Sequence, residues 1–214
     1  MIKLLIVDDH NLFREGLASI IQSEPDIEIV GLAGTVRDAV EITRQLKPDI
    51  ILMDFGLPDG NGVDATRLIL HEHPDCKIIF LTVNEEDDSL FAAIRSGAKG
   101  YLLKNIRSAK LMAALRAVQQ GESALSRSMT MRLMEEFSRT KEPDRQGDKL
   151  HGKLTPREVE ILRELSAGMS NQQIADHLFL SENTVKYHVH SILDKLNLED
   201  RKAAASYARE NRLV

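Results

Sequence analysis

Cysteine is scarce: Cys76 stands alone among 214 residues. That excludes an internal disulfide framework and leads us to expect a reducing, cytosolic setting. Long apolar runs are missing too. The longest reach about five residues, far short of the ~20 that span a bilayer. The N-terminus carries one lysine and then a strand-like run into two acids, which is not a secretory pattern. Nucleotide loops of the G-x-x-x-x-G-K-S/T or G-x-G-x-x-G type are absent, and Gly31-Leu32-Ala33-Gly34 is too short to replace them. No Ser-His-Asp or Cys-His set falls at strand ends. A basic excess is lacking as well. The 28 Lys and Arg against 33 Asp and Glu leave −5, which taken alone argues against a nucleic-acid partner.

What is present is the composition of a folded chain, 43% hydrophobic and 29% charged, with a length that suits two modest domains. The charge is unevenly spread. Residues 1–122 hold 13 basic and 19 acidic residues, net −6; residues 123–150 hold 6 and 5, net +1; residues 151–214 hold 9 and 9, net 0. The acidity therefore belongs to the front half.

Up to about residue 120, strand and helix signals alternate. Short Ile/Leu/Val-rich runs at 2–7, 27–30, 50–53, 78–82 and 100–103 are each followed by a turn and a helix-period segment. Leu12, Leu17, Ile20 and Ile21 mark the first helix, Val36, Ala39, Val40, Thr43 and Leu46 the second, and Leu111, Ala114, Leu115 and Val118 the fifth. Five such units predict an α/β fold, a parallel, doubly wound sheet with helices on both faces. Gly121 reads as a helix stop. Met129, Leu133 and Phe137 recur every fourth residue and predict a short amphipathic helix inside a polar linker. Beyond it the pattern is all-helical. Thr155-Pro156-Arg157-Glu158 and Ser170-Asn171-Gln172-Gln173 are capping boxes, and Ser181 and Asp200 are further N-caps. Two short helices at a tight turn, 172–178 and 181–196, fit a helix-turn-helix. Ile161, Leu165, Ile174, Ala175, Leu178, Val185, Val189, Ile192 and Leu196 form its expected core. Asn183, Thr184, Lys186, Tyr187, His190 and Ser191 are left on the exposed face, able to meet base edges and phosphates.

The chemistry concentrates at strand ends. Asp8 and Asp9 follow the first strand and Asp54 ends the third. In an open parallel sheet these carboxyl ends adjoin at the ligand-binding edge. Converging carboxylates call for protonation or a cation, and an all-oxygen set suits Mg²⁺. Thr82 ends the fourth strand and Lys104 follows the fifth, so a hydroxyl and an ammonium face the same edge. Together they make a receptor for a phosphoryl group. His10 lies near this pocket. His71, His73 and Cys76 read as surface and packing residues.

Asp8-Asp9, Asp54 with Leu57-Pro58 and Gly62, Thr82, Tyr101 and Lys104 resemble the receiver domain of two-component response regulators. The resemblance implies a flavodoxin-like receiver in which Asp54 accepts a phosphoryl group from a sensor histidine kinase. It also implies Mg²⁺ held by Asp8, Asp9, Asp54 and the main-chain carbonyl of Gly56, with Thr82 and Lys104 on the phosphoryl oxygens. Tyr101 is either a half-buried core tyrosine or the aromatic that changes rotamer as Thr82 moves. Gly56 and Val83 depart from the bulkier and smaller residues common at their places, which bears on phosphoryl turnover. Asn105 stands where many receivers carry proline. Leu154-Thr155-Pro156-Arg157-Glu158, Ile174-Ala175 and residues 181–189 resemble the LuxR-type helix-turn-helix of the NarL/FixJ class. That resemblance implies DNA contacts from Asn183, Thr184, Lys186, Tyr187 and His190, with Arg201 and Lys202 adding phosphate contacts. Because His190 replaces the usual cation or small polar residue, binding is expected to be modest and pH-sensitive. The last helix, 200–211, is where this class dimerises on DNA.

The expected organisation is a receiver at 1–121, a linker at 122–152 and a four-helix, all-α DNA-binding domain at 153–214. The expected protein is a cytoplasmic transcription regulator, not an enzyme beyond its own phosphorylation and slow dephosphorylation. Its partners would be a histidine kinase, promoter DNA and, when phosphorylated, a second copy, with no membrane. A receiver that masks the recognition helix until phosphorylated would link the halves. Two alternatives remain open: an Mg²⁺-dependent phosphohydrolase with an aspartate nucleophile, and a constitutive interaction module.

Overall fold

Alternating runs of Ile, Leu and Val become strands where both faces are covered. The computed structural model describes residues 1–83, 87–139, 154, 156–178, 180 and 182–211. In chain order, β1 (Ile2–Val7), α1 (Asn11–Ile21), β2 (Ile27–Ala33), α2 (Val36–Leu46) and β3 (Ile50–Asp54) lead to a two-strand hairpin, β4 (Gly56–Leu57) and β5 (Gly60–Asn61). Then follow α3 (Gly62–Glu72), β6 (Lys77–Thr82), α4 (Asp87–Arg95), β7 (Gly100–Leu103) and α5 (Ser108–Gln119). The main sheet is fully parallel, in the order β2-β1-β3-β6-β7. Chain order reverses between β1 and its two neighbours, so the carboxyl ends of β1 and β3 lie side by side. This is the doubly wound fold expected from the sequence.

β3 is buried at every position, and β1 at all but Lys3. One core layer joins Leu4, Ile6, Ile50, Leu52, Ile79 and Leu81 to Leu17, Ile21, Leu111 and Leu115. Leu12 and Ile20, which help mark α1 in the sequence, point outward instead, 86% and 48% exposed. Thr35 caps α2 and Asn61 caps α3, each accepting the backbone N–H three residues on. Gly62 begins α3 hard against β3: a Cβ there would lie 2.2 Å from the Asp54 carbonyl and 2.8 Å from the Phe80 ring. Only glycine lets the helix start that close to the strand that carries Asp54.

The chain continues along the sheet edge. Ala124 pairs with Gly100 in a parallel bridge, accepting from Tyr101 N at 2.8 Å and donating to Lys99 O at 3.0 Å. α6 (Arg127–Arg139) then buries Met129 and Leu133 and forms an Arg132–Asp87 ion pair of 3.2 Å with α4. The Phe137 side chain and residues 140–153 lie outside the described residues.

The chain divides into two compact units between Pro143 and Asp144. The second contains α7 (Pro156–Ser166), α8 (Asn171–Leu178), α9 (Glu182–Leu196) and α10 (Arg201–Glu210). Ile161, Leu165, Ile174, Ala175, Val185 and Ile192 are buried at its centre, with Ala204 and Ala208 from α10. Leu178, Val189 and Leu196 pack around them, partly buried. Ser170 and Gln173 exchange the two bonds of a capping box, and Asp200 caps α10 through Ala203 N. The proposed caps Thr155 and Ser181 lie outside the described residues.

Candidate functional site

The ends of β1, β3, β6 and β7 deliver the strand-end residues to one pocket. Asp8, Asp9, His10 and Asp54 each place a possible ligand atom within 4.8 Å of the others. Lys104 Nζ lies 2.7 Å from Asp8 Oδ2 and 3.0 Å from Asp54 Oδ2, bridging two nearly buried carboxylates. Its stem passes the Phe13 ring, with the ammonium 4.9 Å from the centroid. Lys104 N donates to the Thr82 carbonyl at 2.7 Å, tying β7 to the end of β6, and Thr82 is buried. Phe55 N donates to Asp54 Oδ1 at 2.8 Å, and His10 N to Asp8 Oδ1 at 2.9 Å. Arg14 donates to the Asp8 carbonyl and, at 2.6 Å, to Asn11 Oδ1, fixing the turn after β1.

Burial raises the Asp54 carboxyl from its ordinary 3.8 to about 6; Lys104 opposes the rise and the Asp8 charge adds to it. Burial also works against the Lys104 charge, but Asp54 and Asp8 outweigh it and hold its pKa above the usual lysine range. Two carboxylates share one ammonium, and Asp9 brings a third acid into the same cluster. The donor set therefore fits a divalent cation. Asp9 Oδ1 lies 2.6 Å from His10 Nδ1, an ion pair when the imidazole is protonated.

Gly56 sits in the β4–β5 hairpin two residues past Asp54, a turn and not a phosphate cradle. Tyr101 is fully buried, so the half-buried position considered from sequence is corrected: the ring stacks 6.5 Å from Phe80, which in turn meets Phe55 at 5.7 Å. No cis peptide occurs among the described residues, in keeping with Asn105 after Lys104.

On α9, Lys186 and His190 are exposed, and Thr184 and Tyr187 are partly exposed. Lys186 Nζ is 3.1 Å from Glu182, and His190 Nε2 is 3.6 Å from Asp194. The Asn183 side chain lies outside the described residues. Ser191 corrects the sequence reading. It is turned inward and donates to Glu158 Oε1 at 2.7 Å. Arg201 is likewise occupied, donating to Asn171 Oδ1 at 2.5 Å, whereas Lys202 is exposed.

The sequence reading took Glu158 as a capping-box acid and missed its burial, with its two oxygens meeting Lys195 Nζ at 2.7 and 2.6 Å; it also missed the burial of His188 beside Tyr187. A glutamate inside an apolar α7 pattern was the available signal for the first. His10 lies beside the acids, as the sequence placed it.

Residues 4–116 match the response regulator receiver domain, and residues 152–208 match the bacterial regulatory proteins of the luxR family. The transcriptional regulatory protein LiaR of Bacillus subtilis (strain 168) is 38% identical over 214 residues, covering all of both chains. The DNA-binding transcriptional activator DevR/DosR of Mycobacterium tuberculosis (strain ATCC 25618 / H37Rv) is 38% identical over 210 residues, covering 98% of this chain and 95% of its own. The crystal structure of the response regulator ChrA of a heme-sensing two-component system is similar at TM-score 0.52 and 34% identity, over 100% of this chain and 98% of that one.

Proposed function

The chain belongs to the DNA-binding transcriptional response regulators of two-component systems, a receiver followed by a LuxR-type DNA-binding domain, and from that premise we propose that Asp54 accepts a phosphoryl group from a sensor histidine kinase and thereby controls DNA binding. The observation that supports it is the Lys104 ammonium set between Asp8 and Asp54 at the floor of an acidic pocket. An Asp54 carboxylate oxygen attacks the phosphorus of a phosphohistidine. The new O–P bond forms as the N–P bond breaks, and the imidazole leaves. Asp8, Asp9, Asp54 and the Gly56 carbonyl would hold Mg²⁺, which neutralises the charge gathering on the phosphoryl oxygens. The Lys104 ammonium pairs with the dianion, and the Thr82 hydroxyl donates to a phosphoryl oxygen. With Thr82 drawn in, Tyr101 changes rotamer, and the two-state receiver is biased to its active form.

In this reading residues 1–121 are the switch, 122–152 the linker and 153–214 the reader, which meets DNA through Asn183, Thr184, Lys186, Tyr187 and His190. Phosphorylation frees the reader and favours a homodimer on a two-fold-related promoter site. The family consists of transcription regulators, not classical enzymes, so the chemistry proposed stops at self-phosphorylation and slow loss of the phosphoryl group. A phosphohydrolase would use a second acid two residues after Asp54, where this chain has Gly56. No helix among the described residues is long and apolar enough to cross a membrane, and we place the protein in the cytoplasm with its DNA.

The test is DNA affinity of the full chain with and without beryllofluoride or acetyl phosphate plus Mg²⁺. The wild type should gain at least tenfold, and Asp54→Asn should gain nothing. An equal gain in Asp54→Asn would refute phosphoryl control through this residue.

A further inference from the structure

The turn that carries Asp8 and Asp9 leads into a helix with no side-chain cap. His10 takes the N-cap position of α1 without a capping hydrogen bond, and the first turn holds no acid. The anchor comes from Arg14, one turn into the helix. Its guanidinium reaches back past the helix start, donating through Nη1 to the Asp8 carbonyl and through Nη2 to Asn11 Oδ1 at 2.6 Å. Every polar group of Asp8 is then engaged. Its N donates to Ala33 O at 3.0 Å, its O meets Arg14, Oδ1 accepts from His10 N at 2.9 Å, and Oδ2 lies 2.7 Å from Lys104 Nζ. The guanidinium grips the chain by its backbone and leaves the carboxylates of the pocket to other partners. Arg14 Nε is buried with no hydrogen-bond partner among the described residues, so the seat serves the far end of the side chain. Gly34, just past β2, makes that seat. A Cβ there would lie 3.3 Å from Arg14 Nη1 and 3.8 Å from the Asp8 carbonyl oxygen. Its φ is not positive, so the missing Cβ supplies room for the guanidinium and not a turn conformation.

We infer that Arg14 is a positioning residue for the divalent ion: seated in the space that Gly34 leaves, it holds the turn after β1 so that Asp8 and Asp9 are aimed before the ion binds. Clustered carboxylates repel one another, and a free turn would relax to spread them. Binding would then have to order the turn again, at a loss of affinity. Arginine suits the task because its planar fork donates in two directions at once, to Asp8 and to Asn11, which a lysine ammonium on a flexible stem does not reproduce. The inference rests on the metal-assisted receiver reading above and concerns its metal step alone. Arg14 and Gly34 set how much Mg²⁺ the pocket needs, and the reactivity of a loaded Asp54 does not depend on them.

The experiment uses the full chain. Mg²⁺ affinity is measured by calorimetry without a phosphodonor, and the rate of phosphorylation by acetyl phosphate is followed as Mg²⁺ is varied. Arg14→Ala and Arg14→Lys should each weaken Mg²⁺ binding by about tenfold, while the rate at saturating Mg²⁺ stays within about twofold of the wild type. Gly34→Val crowds the guanidinium and leaves Arg14 in place, and it should weaken Mg²⁺ in the same direction by about threefold or more. Leu17→Val loosens the buried face of the same helix and is the control for stability, so its Mg²⁺ affinity should not change. Unchanged Mg²⁺ affinity in either Arg14 variant or in Gly34→Val, an equal loss in Leu17→Val, or a fall in rate that saturating Mg²⁺ does not restore would overturn the inference while leaving the receiver reading intact. A wild type that binds no Mg²⁺ and takes up no beryllofluoride would overturn both.

Discussion

At the scale of single residues, Asp54 is destabilising for the resting protein. Its carboxyl titrates at about 6 in the fold against an ordinary 3.8, because burial and Asp8 together outweigh Lys104. The folded state therefore binds more protons than the unfolded state between those two values. Stability falls as pH rises through that window, and the loss is complete above about pH 6. The cost at neutral pH is about 3 kcal/mol. Asp54→Asn should remove most of it. In the presence of a chelator the variant should be more stable to urea at pH 7.5 by about 2–3 kcal/mol, and the advantage should vanish near pH 4. An advantage of the same size at both pH values would place its cause in packing and not in charge. The same residue is the proposed phosphoryl acceptor, so in that reading the destabilising carboxylate and the reactive one coincide.

At the scale of elements, two packings carry their own predictions. The segment after α5 adds Ala124 to the edge of β7 and lays α6 on the receiver through Met129 and Leu133. Leu133→Ala should lower the stability of the first unit by about 2 kcal/mol, whereas Met131→Ala, half exposed, should stay within about 0.5 kcal/mol. Thermal unfolding of the two variants checks this directly. In the second unit, Lys195 of α9 caps the buried Glu158 of α7. Lys195→Ala strands that carboxylate and should cost about 2–3 kcal/mol, while Glu158→Gln with Lys195→Met should recover most of the loss. A double variant as unstable as the single one would assign the cost to lost packing of the lysine stem. These elements also show what the sequence made legible. The five strands of the main sheet and the ten helices of the described residues read from periodicity and caps, because Ile/Val runs and Ser/Asp caps are local signals. So were Asp8, Asp9, Asp54, Thr82 and Lys104, because strand ends of a parallel sheet converge by topology alone. The Ala124 bridge, the inward turn of Ser191 and the Glu158–Lys195 pair were not, because each depends on which residue lies opposite across 24 to 37 positions of chain.

At the scale of the whole molecule, the net −5 divides into −6 in residues 1–122 and 0 in residues 151–214. DNA affinity therefore cannot come from bulk charge and has to come from a few placed cations. The structure shortens that set. Lys195 is held by Glu158 and Arg201 by Asn171, which leaves Lys186 and Lys202 as exposed lysines of α9 and α10. Lys186 is itself partly neutralised by Glu182 at 3.1 Å. Each phosphate neutralised contributes about −0.9 to the slope of log K against log salt. Lys186→Ala should therefore weaken binding of the phosphorylated protein across all sequences and reduce the slope by about 1 per protomer, or about 2 on a two-fold site. Glu182→Gln should do the opposite, since the ammonium no longer divides its attraction between a carboxylate and the backbone. Affinity measured at four or five salt concentrations separates the two. If Lys186→Ala changed the preference among sequences and left the slope alone, the lysine would be reading a base edge, and the phosphate grip of this neutral domain would have to come from its other exposed cations, Lys202 and Arg209 among them, and the backbone amides of its helices.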